Sequence, residues 1–140
     1  MPNYNRRNQD RQPAVPRPKN LNERWITQPE AIDNDTVDWA EEAGAYLVKS
    51  GLSTSSLRRF FGDVRRIQSD FNAFKEDVPL LRAKLAYDAK RRGKDGVQEF
   101  YDLMKSGIIA VDKDEARFGR FVKIAEAIVA FHKAAGGSDK

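Results

Sequence analysis

The sequence predicts an all-α fold, a single compact bundle of about five helices behind a disordered basic N-terminal arm. Three observations carry this. Beyond Asn34 the apolar residues recur at three- and four-residue steps, the period of a helix with one buried stripe. Residues that start and stop helices punctuate those stretches. No period-two run bounded by turn signals is long enough for a strand, and there is no internal repeat. A chain of 140 residues fits one domain.

The opening "MPNYNRRNQDRQPAVPRPKN" is rich in Asn, Arg and Pro, and its four prolines oppose both helix and sheet pairing. "LNERWITQPEAIDND" follows as a semi-ordered lead-in, with Trp25 and Ile26 docking on the body. The predicted organisation is a disordered or semi-ordered arm over residues 1–34 and a helical bundle domain over residues 35–137. In "TVDWAEEAGAYLVKSG", Val37, Ala40, Gly44, Leu47 and Val48 share a face; Asp35 can cap this helix and Gly51 can end it in the left-handed conformation. Ser53 or Thr54 caps a second helix with Leu57, Phe60, Phe61, Val64, Ile67, Phe71 and Phe74 along its stripe. Pro79 suits the first turn of a third, which runs to about Arg92 before "RRGKDG" ends it. "VQEFYDLMKSGIIAV" is a fourth, with a break expected near Gly107. Asp112 or Asp114 opens the last, whose stripe is Phe118, Phe121, Val122, Ala125, Ile128, Val129 and His132, and Gly136-Gly137 closes it.

The formal net charge is +4, and residues 1–20 carry all of it: five basic side chains against Asp10. The remaining 120 residues hold 20 basic and 20 acidic side chains, so a basic surface on the body must be a local patch with acids gathered elsewhere. The absence of cysteine excludes disulfides, thiolate metal sites and cysteine nucleophiles. No apolar run reaches the roughly 18 residues of a membrane span, and the N-terminus lacks an apolar signal core. A soluble cytoplasmic protein without membrane contact is expected.

Little in the chain supports catalysis. There is one histidine, and "GKDG" at 93–96 lacks the spacing of a phosphate-binding loop. Asp63 and Asp70 lie two helical turns apart beside arginines, which points to ion pairing ahead of a carboxylate metal pair. His132 falls beside the apolar stripe of the last helix and reads as a packed or boundary residue. No catalytic residue, metal ligand or cofactor is expected.

The second helix, "LSTSSLRRFFGDVRRIQ", holds two arginine pairs. At about 100° per residue, Arg59 and Arg66 form one rail, with Asp63 and Asp70 near enough to neutralise them. Arg58 and Arg65 form the other, and no acid of their own helix reaches them. Ser55, Gly62 and Ser69 run between the rails, a small-residue strip along which a phosphate backbone can approach. The alternative is that Arg58 and Arg65 bridge to acids on another helix. In the third helix Leu80, Lys84, Tyr87 and Arg91 share a face, and residues 80–94 hold six basic side chains against Asp88. Cations flanking a phenol hold RNA by phosphate contact and stacking; they also make helix boundaries, with Lys and Arg stems covering apolar surface. Asp88 can pair with Lys84 or Arg92, which leaves Lys90 and Arg91 less easily neutralised.

Three blocks in order carry a resemblance. "LSTSSLRRFFGDVRRI" resembles the Leu-Thr-Thr-Ser-then-basic-helix segment of the small subunit of type III-A CRISPR effector complexes, the Csm complexes. "KLAYDAKR" resembles that family's Lys-Leu-Ala-Tyr segment, and "FVKIAEAIVAFHKAAGG" its Glu-Ala-Ile-Val-Ala-aromatic-His-Lys segment before paired glycines. The likeness covers about residues 36–137. It implies a non-catalytic helical subunit of an antiviral ribonucleoprotein, contacting the backbone of the crRNA–target RNA duplex, other subunits of the complex and further copies of itself along the filament. It carries RNA contact over to Arg58 or Arg59 and Arg65, to Lys84 and Arg91, and to Lys133. The chain departs from the pattern in the glycine inside Phe60-Phe61-Gly62, in Arg82-Ala83 where the family often has Lys-Pro, and in its longer basic arm.

With the residues read from helical faces, the candidate RNA-binding set is Arg58, Arg59, Arg65, Arg66, Lys84, Tyr87, Lys90, Arg91 and Lys133. The rivals to sequence-independent RNA binding are a helical protein–protein adaptor without direct nucleic-acid contact and a helix-turn-helix DNA binder, against which Ser-Thr-Ser leading into arginines supplies no obvious base-reading set.

Overall fold

Asp33 opens the first long helix because Thr36 stands three residues on. The Asp33 side chain accepts from the Thr36 backbone N–H at 3.2 Å, and the Asp33 N–H donates to Thr36 Oγ1 at 3.1 Å, so two otherwise orphaned donors are satisfied reciprocally. The cap is therefore Asp33 and not Asp35, which sits in the first turn. The computed structural model describes residues 15–92 and 96–137. Among the described residues there are seven helices and no strand: α1 (Arg24–Thr27), α2 (Asn34–Lys49), α3 (Thr54–Ser69), α4 (Phe71–Phe74), α5 (Asp77–Arg92), α6 (Val97–Val111) and α7 (Glu115–Ala134). The five long ones are the five the periodicity predicts, and α1 and α4 are single turns.

Ser53 caps α3, accepting from the Ser56 N–H at 3.1 Å. The α3 stripe does not run on to Phe74 in one helix. Asp70 leaves the helical conformation, ends α3, and turns its carboxylate to the Ala73 N–H to start α4. A short acidic side chain competes in this way for nearby backbone donors. Phe71 is still buried, and Phe74 packs half-buried against the core. Asp114, the second of the two predicted candidates, caps α7.

The expected break at Gly107 is absent. α6 is continuous, and a Cβ at Gly107 would stand 2.8 Å from Leu21 Cδ1. The glycine makes room for the lead-in instead of bending the helix. Residues 15–33 are tied onto the bundle: the Leu21 N–H donates to the Leu103 carbonyl (3.0 Å), Ser106 Oγ to the Leu21 carbonyl (2.7 Å), Trp39 Nε1 to the Lys19 carbonyl (2.7 Å) and Arg120 Nε to the Ile26 carbonyl (2.8 Å). Leu21 and Ile26 are buried, each such burial contributing about 1.5–3 kcal/mol. The expected basic arm falls mainly on residues 1–14, which lie outside the described residues.

α2 packs along α7 and α5 along α6, while α3 lies against both α5 and α7. The α2–α7 crossing is close because residue 44 is glycine: a Cβ there would lie 2.8 Å from Phe131 Cβ and from the His132 backbone nitrogen. Gly96 holds the start of α6 against the α2–α3 turn. Its φ is +86°, and a Cβ would stand 2.5 Å from the Leu52 nitrogen, so both conformation and space call for glycine. Edge-to-face Phe60 and Phe100, centroids 5.0 Å apart, tie α3 to α6 in the core. No helix among the described residues is long and apolar enough to cross a membrane.

Candidate nucleic-acid interface

α3 buries one stripe, so the residues flanking it border its two neighbours. On the α7 side, Arg58, Phe61, Gly62 and Arg65 fall on one flank of α3, opposite Val129, His132 and Lys133 of α7. Together with Thr54 and Leu57 they line a groove of about 330 Å³. Its floor is apolar and its rim holds three cations, Arg58, Arg65 and Lys133, drawn from two helices. The Arg65 guanidinium lies over the Phe61 ring, 4.9 Å from its centroid. Arg65 Nη2 is also 4.0 Å from Glu126 Oε2, with the two side chains 66% and 50% exposed. At that distance and exposure the pair contributes ~0–1 kcal/mol, so it orients Arg65 more than it binds it.

His132 is buried beneath this groove. Its Nε2 lies 2.7 Å from the Leu52 carbonyl oxygen. A carbonyl only accepts, so Nε2 donates to it; Nδ1 has no hydrogen-bond partner among the described residues. The imidazole joins the end of α7 to the α2–α3 turn, which is the packed alternative of the sequence analysis.

On the α5 side the same helix meets acids. Lys84 Nζ pairs with Asp63 Oδ1 at 3.0 Å, and the cleft around them, lined by Ser56, Arg59, Asp63, Lys84 and Asp88 among others, holds about 30 Å³. Arg91 pairs with Asp88 at 3.2 Å and lies 5.7 Å from the Tyr87 ring centroid. Arg66 pairs with Asp77 of α5 at 3.0 Å and covers Phe74 at 5.0 Å. Arg59 donates to Ser56 Oγ at 3.2 Å. Tyr87 and Lys90 are exposed.

The pairing expected within α3 is therefore corrected. Asp63 serves Lys84 and not Arg59, Asp70 caps α4 and does not pair with Arg66, and Asp88 serves Arg91 and not Lys84. Asp63 is drawn off because α5 brings Lys84 to α3, Asp70 is taken up by the start of α4, and Asp88 pairs three residues on within α5 itself. Arg65, expected to have no acid on its own helix, meets Glu126 of α7 at the limit of ion-pair distance.

The structure gathers Arg58, Arg65 and Lys133, and separately gathers Arg59 and Lys84 beside Asp63 and Asp88. Tyr87, Lys90 and Arg91 lie further along α5. Sequence reasoning placed Phe61 in the core stripe, but it is half-buried and faces the groove. It missed Val129 as floor and Glu126 as rim; the glycine at 62, inside a helix, was the available signal of an unusual surface.

A protein-family model described as Csm2 Type III-A matches residues 30–138. No curated protein and no solved structure matches the chain.

Proposed function

The chain belongs to the Csm2 type III-A family and is thus a small subunit of a Csm effector complex that associates with its other subunits, and from that premise we propose that it binds RNA there without catalysing a reaction. One observation carries the proposal: Arg58 and Arg65 of α3 and Lys133 of α7, distant from them in sequence, converge on the rim of one open groove. Cations spaced along a groove without a set of base-reading donors hold phosphates and not sequence. In this reading the phosphates are those of crRNA and target RNA, and Arg59, Lys84, Lys90 and Arg91 add a secondary basic face. A cytoplasmic location goes with that role. The absence of catalysis is supported by how the candidate groups are occupied: His132 is buried against Leu52, Asp63 is paired with Lys84, and Asp70 caps α4.

The test is a salt titration of RNA affinity for the purified full-length chain. Affinity should fall steeply, with a log–log slope of about 0.7 per phosphate contact on single strands, and should not depend on base composition. Flat salt dependence, or a strong preference for one short motif, would overturn the reading. A protein contact is supported elsewhere. Leu80 and Ile109 are 55% and 51% exposed on α5 and α6, large apolar side chains suited to a neighbouring subunit or a further copy of this chain along the filament. An adaptor without RNA contact would keep that face and show no RNA affinity.

A further inference from the structure

We propose that the α3–α7 groove takes an unstacked nucleobase, so that the surface holds a single-stranded nucleotide by its ring as well as by its phosphate. The proposal rests on the RNA-binding reading above and goes a step beyond it. A surface that meets only phosphates needs cations and donors. This groove has them at its rim, but beneath them lie Leu57, Phe61 and Val129 around a space of about 330 Å³. That volume is at the lower end of the ~300–1,000 Å³ spanned by sites for small ligands. A nucleotide matches the arrangement part for part, with a flat ring for the floor and an anion for the rim. The Arg65 guanidinium, held over Phe61 at 4.9 Å, offers a base a planar cation backed by an aromatic ring.

Gly62 is the independent observation. It lies in the interior of α3, where glycine disfavours the helix relative to alanine. Gly44 and Gly107 also lie inside helices, and close neighbours within the chain account for both. A Cβ at Gly62 would meet nothing within 4 Å. Gly119, inside α7, is open in the same way but does not line this groove; Gly62 differs in that nothing among the described residues requires it and the space it leaves opens on the groove. The inference is that the space serves something outside the chain. The rim favours an anion-bearing occupant: Arg58, Arg65 and Lys133 surround the groove, and Glu126 stands at Arg65.

The experiment compares two RNAs on the full-length chain by fluorescence anisotropy at fixed salt: a short single strand, and a counterpart of equal length and charge whose central bases are replaced by abasic sites. The intact strand should bind about fivefold or more tightly, the lower bound for one stacked base. Gly62→Leu places a good helix former in open space, so its melting temperature should hold or rise. It should erase the advantage of the intact strand while keeping the salt slope. Equal, salt-sensitive binding of both RNAs by the unaltered chain would overturn the base slot and leave the RNA reading standing. Absence of binding to either RNA would sink both. If Gly62→Leu keeps the intact strand's advantage, the base lies elsewhere and the proposal fails. It fails equally if Gly62→Leu spares RNA binding but drops the chain from complexes reconstituted with its partner subunits, since the occupant is then a protein side chain.

Discussion

The groove between α3 and α7 and the cleft between α3 and α5 share a helix and carry cations of the same kinds, yet their interiors hold about 330 Å³ and about 30 Å³. The difference lies in what the neighbouring helix contributes. α5 lays Lys84 on Asp63 and, around the edge, Asp77 on Arg66, so charges there are matched across the contact. α7 brings Lys133 to two arginines, with Glu126 at the limit of ion-pair distance from one of them. Density of basic residues along a helix therefore does not by itself locate a polyanion site. What decides is whether the packed neighbour's charges pair closely with those they meet or add further cations to them.

The largest effect should come from breaking the open groove from behind. Gly44→Val drives a branched side chain into the Phe131 Cβ and the His132 backbone, both 2.8 Å from where its Cβ must stand. Since both contacts are with α7 backbone or Cβ atoms that cannot swing aside, the cost should reach the upper end of the ~1–3 kcal/mol range for overpacking. Thermal melts should show a drop on the order of 10 °C. An unchanged melting temperature would mean that the α2–α7 crossing yields easily.

Next in size is the effect of emptying the rim. Arg65→Ala with Lys133→Ala removes two exposed phosphate partners, at about 0.5–1 kcal/mol each. RNA affinity should fall roughly 5- to 30-fold, and the salt slope should flatten by about 1.4 units. Arg66→Ala with Lys84→Ala, which removes cations already matched to Asp77 and Asp63, should cost less than about threefold. Equal losses in the two double mutants would erase the distinction between the faces. A smaller change should sharpen it. Asp63→Asn releases Lys84 from its 3.0 Å partner and should raise RNA affinity about twofold, the worth of one exposed pair. No gain would show that Lys84 lies off the path of the RNA.

Some of this contrast was readable in the sequence and some was not, for a definite reason. Helical spacing predicts which residues of one helix meet, so the stripe Leu57, Phe60, Val64 and Ile67 was legible. The same logic failed for Asp63, whose partner lies 21 residues away on another helix. It also had no means of bringing Lys133 to Arg65, since that depends on how α7 crosses α3. The resemblance had singled out Lys133, but as a separate block. Gly44, Gly62, Gly107 and Gly119 look alike in the sequence, each a glycine inside a helical stretch. Only packing tells that Gly44 and Gly107 are filled by neighbours, that Gly62 and Gly119 are open, and that Gly62 opens on the groove.

The smallest expected effect concerns Glu126, the acid that stands at Arg65. Among the described residues Arg65 meets the Phe61 ring at 4.9 Å and Glu126 at 4.0 Å. Glu126→Gln removes the charge of the second and leaves the first. If the ion pair only orients Arg65, stability should change by less than about 0.5 kcal/mol. RNA affinity should rise slightly, by less than about twofold, because a nearby negative charge is gone while the phosphate contacts are the same. For that same reason the salt slope should not move. Melting curves and a salt titration on one variant measure all three. A drop of several degrees would instead identify Arg65 and Glu126 as a strut holding α3 against α7. Arg65 would then belong with Arg66 and Lys84, as a cation used inside the fold, and the contrast between the two faces of α3 would lose one of the cations it is drawn from.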